Sequence, residues 1–417
     1  MNSLSIIYLS YMFIALYMLF FFLILFVRNR KELLNYPVAE KDYSYSISVL
    51  TPAYNEEDSI EDTIKAALSS EYPIKEMIVI DDGSKDKTAE IVKRLMKQYS
   101  NLKLLPKENS GKADSLNQGI KIAKGELIAV VDSDSYPEKD SIKKMVGFFN
   151  DLKVGAVTCS VLVKHRNTFL EKLQVMEYAI IAWTRKLLGY IDGIWATPGP
   201  LALYRKNVLL EVGGFDRNNI TEDIEITWHI ISRGYKIEMC LPARVYSIAP
   251  KKLSYFIKQR IRWDIGGLQC INKYKSLFLK RGALGLFIIP FFAISIFLGL
   301  VGVGVFFYLA IRNLISSFFY TNYTLEAGTS FLALEDLAIT PTILNFFGIV
   351  LFILGLLFTI FSLMSMKEGQ FKGFRNVFNL IFYSIVYLTI YPLILVIAIG
   401  KMIKYKIQHK KIGWGTK

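Results

Sequence analysis

The sequence predicts a mostly parallel α/β domain set between membrane-spanning helices. Three observations predict it. The 417-residue chain is 53% hydrophobic with a mean hydropathy of +0.34. The excess is gathered into four apolar runs, residues 4–27, 283–311, 344–364 and 377–402, each at or above the ~20 residues that cross a bilayer. Between the first two runs lies a polar stretch, about 28 to 282, long enough for one sizeable extramembrane domain. Within it, from 46 to 160, short apolar runs alternate with helical patterns.

The strand candidates are 47–50, 77–80, 102–105, 127–131 and 154–159, and helical periodicity fills 58–69, 86–99, 112–123 and 138–149. Asp58-Ser59 and Asp86-Lys87-Thr88 are placed to cap two of these helices. This order argues for a sheet covered on both faces, with ligands at the carboxyl ends of its strands. The informative polar residues fall there: 51–56 (Thr-Pro-Ala-Tyr-Asn-Glu), Asp81-Asp82-Gly83-Ser84, and Asp132-Ser133-Asp134. If the fourth strand stays extended, Asp132 and Asp134 project to one side. Two adjacent carboxylates repel unless a cation joins them, and hard divalent ions such as Mg²⁺ or Mn²⁺ take carboxylate and phosphate oxygens. A single Asp-x-Asp has a plainer reading as a helix cap or a solvated loop.

Three further features point the same way. Lys112 follows Gly111 at a helix start, where a cation and backbone amides suit a phosphate; no Walker A pattern accompanies it. Thr221-Glu222-Asp223-Ile224-Glu225 opens an amphipathic helix, where acids favour the dipole whatever else they do. Gln259-Arg260-Ile261-Arg262-Trp263 lies in a basic amphipathic stretch leading to the membrane. A surface helix on lipid explains that stretch in part; a guanidinium that pairs with phosphate and an indole that stacks on a sugar explain it further. Gly199 and Pro200, in the 195–200 loop ahead of a strand at 201–205, suit a fixed loop near the sugar or an ordinary turn. The helical pattern 169–188, with Trp183 and Arg185, reads as packing.

Charge and cysteine usage exclude other classes. The net charge of +14 sits largely beside the apolar runs, which suits an anionic lipid surface, and no nucleic-acid motif accompanies it. Cys159, Cys240 and Cys270 are widely spaced, and the three histidines are unpaired, so neither a disulfide frame nor a His/Cys metal site is expected.

Together these motifs resemble the family 2 glycosyltransferases of the processive, membrane-embedded kind, which include cellulose, chitin, hyaluronan and poly-N-acetylglucosamine synthases. The resemblance covers about 46–270 and rests on order: Asp81-Asp82, Asp132-x-Asp134, Thr221-Glu222-Asp223, then Gln259-x-x-Arg262-Trp263. It implies a GT-A fold, a UDP-sugar donor and a divalent metal, Mg²⁺ or Mn²⁺. Pro52, Tyr54, Glu56, Asp81 and Asp82 would then surround the nucleoside. Lys112 would touch the diphosphate, Asp132 would face the donor, Asp134 (with Asp132) would hold the metal, and Asp223 beside Glu222 would be the catalytic base. Gln259, Arg262 and Trp263, with Gly199 and Pro200, would hold diphosphate and acceptor. The implied reaction is inverting transfer, of N-acetylglucosamine above other sugars, to a growing β-linked polysaccharide; the alternative is a single transfer to a membrane lipid. The 417 residues show no cytoplasmic regulatory domain and no extended gating segment of the cellulose-synthase kind.

The expected division is a membrane helix at 1–27, the catalytic domain at 28–250, an amphipathic interfacial region at 251–282, about three helices in 283–402, and a basic tail at 403–417. The first run lacks a basic leader and a small-residue cleavage site, so it reads as an anchor rather than a signal peptide. Arg28, Arg30 and Lys31 place its end, and the domain, in the cytoplasm. Lys367, Lys372 and Arg375 suit the same side, and Glu326, Glu335 and Asp336 the outside. Four spans would then send the basic tail outward, against the positive-inside rule. An external tail, a turn-back at Pro392 or a miscounted helix would resolve this. Partners implied are membrane lipids, the donor and the polysaccharide or lipid-linked acceptor, without nucleic acid. An accessory membrane subunit or a homo-oligomer stays open.

Overall fold

The computed structural model describes residues 3–38, 45–280, 282–326, 343–366 and 374–408. A first apolar helix, α1 (Ser3–Asn29), leads to an alternating series: β1 (Ile47–Ala53), α2 (Ile60–Leu68), β2 (Ile74–Asp81), α3 (Thr88–Met96), β3 (Leu102–Pro106), α4 (Lys112–Ile122) and β4 (Leu127–Val130). Then come β5 (Ser135–Pro137), α5 (Ser141–Val146), β6 (Val154–Val163), the long α6 (Phe169–Gly189), β7 (Ala202–Arg205), α7 (Lys206–Glu211), α8 (Glu222–Ser232) and β8 (Lys236–Ser247). Helix α9 (Leu253–Tyr274) precedes the C-terminal helices α10 (Ile289–Glu326), α11 (Ile343–Ser365), α12 (Phe374–Phe382) and α13 (Leu388–Ile407).

The eight strands form one mixed sheet in the order β3-β2-β1-β4-β7-β6-β8-β5. The first four are parallel, and β7 turns the sheet antiparallel. Strand residues alternate between two cores as a period of two requires. Ile47, Val49, Met77, Val79, Leu127 and Ala129 enter one cluster, and Leu50, Ile78, Ile80, Ile128 and Val130 the other. Gly125 is a glycine because a Cβ there would strike the backbone of Ser48. All three cysteines are buried and free, with Cys159 and Cys240 opposite each other across β6 and β8.

Two sequence expectations change here. The fourth strand ends at Val130, and the chain turns at Ser133 and Asp134, closed by the Ser135 amide donating to the Asp132 carbonyl at 3.1 Å. Asp132 and Asp134 are therefore set by a turn rather than by a continuing strand. The Asp58-Ser59 cap does not form; the Ser59 hydroxyl donates to Glu56 instead, at 2.9 Å. By contrast Asp86 accepts from the Thr88 amide at 3.0 Å at the start of α3. Strand β8 was absent from the sequence reading. Pro242 interrupts its pattern, and the register against β6 slips between Cys159 and Ser160 to absorb it.

Four helical stretches are long and apolar enough to cross a membrane: Ser5–Asn29, Leu284–Phe319, Phe346–Ser365 and Asn376–Ile407. Pro290 does not break the second, because it lies in the first turn of α10 after a π-turn at Leu284–Ile288, where a missing N–H is tolerated. The chain does not turn back at Pro392 either; α13 runs through it after a second π-turn at Tyr383–Tyr387. Glu335, Asp336, Lys367, Lys372 and tail residues 409–417 lie outside the described residues. The apolar helices share a core with the sheet domain: the Trp183 ring of α6 packs on Phe26 of α1 and Phe361 of α11, with centroids 5.8 and 5.7 Å apart.

Candidate active site

The site is built at the carboxyl ends of β1, β2 and β4. Strand β1 carries a proline at position 52, which its neighbours permit: β4 pairs with β1 only through Leu50, so the absent N–H removes no bond on that side. Pro52 is buried; Tyr54 and Glu56 follow in a loop where Asn55 adopts a positive φ of 55° and its side-chain Oδ1 accepts from the Lys85 amide at 2.8 Å. Asp81 ends β2 and Asp82 follows it, both nearly fully buried. Asp81 accepts from the Ser84 amide at 3.0 Å. Asp82 accepts from the amides of Ser110 (2.9 Å) and Gly111 (2.8 Å) and pairs with Lys107. Its carboxylate thus holds the loop that launches α4, and with it the position of Lys112.

Lys112 is the hub. Its Nζ lies 2.6 Å from Asp132 and 2.7 Å from Glu222. Burial pulls its pKa down, but Asp132 and Glu222 outweigh that and hold it charged. Gly199 closes over this pair: a Cβ there would sit 2.5 Å from the Lys112 Nζ and 2.6 and 2.7 Å from the Asp132 carboxylate oxygens. The Gly199 carbonyl also accepts from the Asp132 amide at 3.1 Å. Pro200 follows, half-buried. Asp223 stands in the first turn of α8. Burial and then Glu222 push its carboxyl up to about 6, against the pull of Lys112 and Arg262. Lys112, Asp132, Glu222, Asp223 and Arg262 are therefore one electrostatic unit, with Gly199 packed against it.

Asp134 lies in the turn beyond Asp132. Burial, then Asp134, Asp62 and Glu56, push the Tyr136 phenol up to about 12. The Gln259 side-chain oxygen accepts from Arg260 at 2.7 Å, and the Arg260 guanidinium lies 3.9 Å from the Trp263 ring centre. Among the described residues, no three His, Cys, Asp or Glu side chains are gathered as metal ligands.

Sequence reasoning missed several residues that hold the site. Thr197 bonds Thr227 at 2.8 Å and Tyr204 at 2.7 Å, which ties the 195–200 loop to α8. Arg260, an unassigned position inside Gln-x-x-Arg-Trp, is fully buried on Glu177 of α6 at 2.6 Å, and Glu177 accepts from Tyr387 of the last apolar helical stretch at 2.6 Å. Its helical phase, opposite Arg262, was the available signal; its partners Glu177 and Tyr391, 83 and 131 residues away, gave none. Gly266 lets α9 cross α8, since a Cβ there would collide with the Thr221 side chain.

A family model described as glycosyltransferase like family 2 matches residues 45–266, more than half of the chain. Poly-beta-1,6-N-acetyl-D-glucosamine synthase of Staphylococcus aureus is 34% identical over 260 residues, 61% of this chain and 62% of that protein. The Staphylococcus epidermidis protein of the same name is 35% identical over 248 residues, 59% and 60% of the two chains. The match thus spans about three fifths of these curated relatives. Among solved structures, a mannosyltransferase of Pyrobaculum calidifontis in complex with GDP-Man and Mn²⁺ aligns over 94% of this chain and 97% of its own, with a TM-score of 0.55 and 19% identity. That likeness extends to the fold, a GT-A domain flanked by apolar helices. On the family match and the sheet that carries it, the chain belongs to the family 2 glycosyltransferases.

Proposed function

We propose that the protein transfers N-acetylglucosamine from UDP-N-acetylglucosamine, with inversion, to a growing β-linked polysaccharide at a membrane. The observation that carries this is the Lys112 bridge between Asp132 and Glu222, set beside an Asp223 whose carboxyl titrates near 6. A base poised near neutrality beside a cation for a leaving diphosphate is what one-step glycosyl transfer needs. The names of the relatives supply the sugar.

In this reading Asp223 accepts the proton of an acceptor hydroxyl while that oxygen bonds to the anomeric carbon. The bond from that carbon to the β-phosphate oxygen breaks on the opposite face, UDP departs, and an α-linked donor becomes a β-linkage. Lys112 and Arg262 meet the charge that develops on UDP. Asp132 and Asp134 offer hard oxygens of the type a divalent cation takes; such a cation would neutralise phosphate charge. The apolar helices cross the membrane with the catalytic domain on the cytoplasmic side.

The test is UDP release by the purified protein in lipid with Mg²⁺ or Mn²⁺, offered UDP-N-acetylglucosamine, UDP-glucose and UDP-glucuronate separately, with products sized. A long polymer from the first donor is expected, with Asp223→Asn slower by about 10²–10⁴-fold at unchanged UDP affinity. A lipid carrying one sugar moves the protein to glycolipid synthesis. No release from any donor overturns the reading.

A further inference from the structure

Arg185 lies near the C-terminal end of α6 with only 5% of its surface exposed. A buried guanidinium ordinarily sits on a carboxylate or on several carbonyls. Arg260, on the neighbouring α9, does so through Glu177. Arg185 does not: its Nε is buried without an acceptor, and among the described residues no carboxylate forms an ion pair with it. Burial pulls it down to about 10, with Asp223 among the weaker opposing charges, which puts the catalytic carboxylate within its electrostatic reach.

What it does face is an aromatic ring. The guanidinium carbon is 5.8 Å from the centre of the Trp195 ring. Trp195 is half-buried at the start of the loop that carries Thr197 and Gly199. The Trp195 backbone carbonyl accepts from Trp228 of α8 at 3.1 Å, and its ring meets Phe292 of α10 edge-on at 5.2 Å. The pair therefore lies between Asp223 and the first apolar helix after the domain. An indole beside a fork of N–H donors is the chemistry that receives a sugar: the ring takes the apolar face, and the donors take hydroxyl or carbonyl oxygens.

The structure assigns Arg185, with Trp195, to the binding of the acceptor sugar, whose oxygens would complete the guanidinium that the protein leaves unpaired. This rests on the transferase reading above and names the acceptor side of the same site. It also separates two properties that a structural arginine would keep together. An isosteric apolar replacement removes an uncompensated buried charge, so it leaves the fold as stable or more stable while it weakens acceptor binding.

The experiment compares wild type, Arg185→Met and Arg185→Lys in lipid with UDP-N-acetylglucosamine. It reads Tm, UDP affinity, and the ratio of free N-acetylglucosamine, from transfer to water, to polymer. Arg185→Met is expected to keep or raise Tm, keep UDP affinity, and shift the ratio at least tenfold towards free sugar, with N-acetylglucosamine oligosaccharides needed at about tenfold higher concentration to prime; a tenfold shift corresponds to about 1.4 kcal/mol. Arg185→Lys recovers part of the loss. An unchanged ratio overturns the assignment. So does UDP affinity that falls in step, which would place Arg185 on the donor, or a Tm lower by several degrees in Arg185→Met, which would make it structural. If the wild type releases no UDP, the transferase reading fails by itself. Direct binding of N-acetylglucosamine oligosaccharides, weaker in Arg185→Met, then still decides the assignment.

Discussion

Asp223 and Glu222 are neighbours in sequence with divided work. Glu222 is pinned to Lys112, and Asp223 is left with a raised pKa because burial and that neighbour both disfavour its charge. The pH dependence follows. The base proposed here must be ionised to act, so kcat/KM should fall about tenfold per pH unit below about 6. Glu222→Gln removes one raising charge and frees Lys112 to pull harder, and both effects lower the Asp223 pKa. The acid limb of its pH profile should shift to lower pH, even where the maximum rate drops. An unchanged limb would show that Glu222 does not set the base. The stability sign is opposite to that of a salt-bridged acid. A carboxyl raised above its unfolded value costs the folded state as pH rises from the unfolded pKa, about 3.9, through about 6. At this scale the sequence was legible through the order of its motifs. Lys112, Asp132, Asp223 and Arg262 each have a plainer reading alone and stand out only together. Glu177, Thr197 and the unpaired state of Arg185 could not, since each depends on a partner or on the lack of one across the fold.

Among the elements, α9 decides the geometry. Its Gly266 meets Thr221 at the start of α8, and further along the same contact Lys273 reaches Glu225 at 2.6 Å and Tyr274 reaches it at 2.8 Å. Alanine is the better helix former by about 1 kcal/mol, so propensity alone says Gly266→Ala stabilises. The collision with Thr221 says otherwise. The helix must move off α8, carrying Arg262 from Asp223. We expect Gly266→Ala to lower kcat at least tenfold with little change in UDP affinity, and Thr221→Ser beside it to restore part of the rate, measured as UDP release. Equal rates would mean that the crossing has slack. Parallel strands β1, β2 and β4 were readable because nearly unbroken apolar runs mark strands buried on both faces, while β3 is an edge strand with Lys103 exposed. Strand β8 was not, because a proline and a register slip erase its period, and the turn at Ser133-Asp134 was hidden by the apolar run that leads into it.

For the whole molecule, catalytic domain and apolar helices are one body. The Arg260–Glu177–Tyr387 chain ties α9 to α6 and to the last apolar helical stretch, while Trp183 is packed by rings from α1 and α11. The four apolar runs were legible because length and composition alone define a span; their packing onto α6 was not, because lipid-facing and domain-facing residues are equally apolar. The orientation proposed for this body can be tested with a thiol. Lys97, exposed at the end of α3, replaced by cysteine, should react with an impermeant maleimide in inside-out vesicles and not in intact cells. Reaction in intact cells would invert the topology. That measurement needs no cysteine-free background, because Cys159, Cys240 and Cys270 are all buried. To a reagent in water the folded chain is already blank, and any single reporter written onto its surface will be read without interference from the rest.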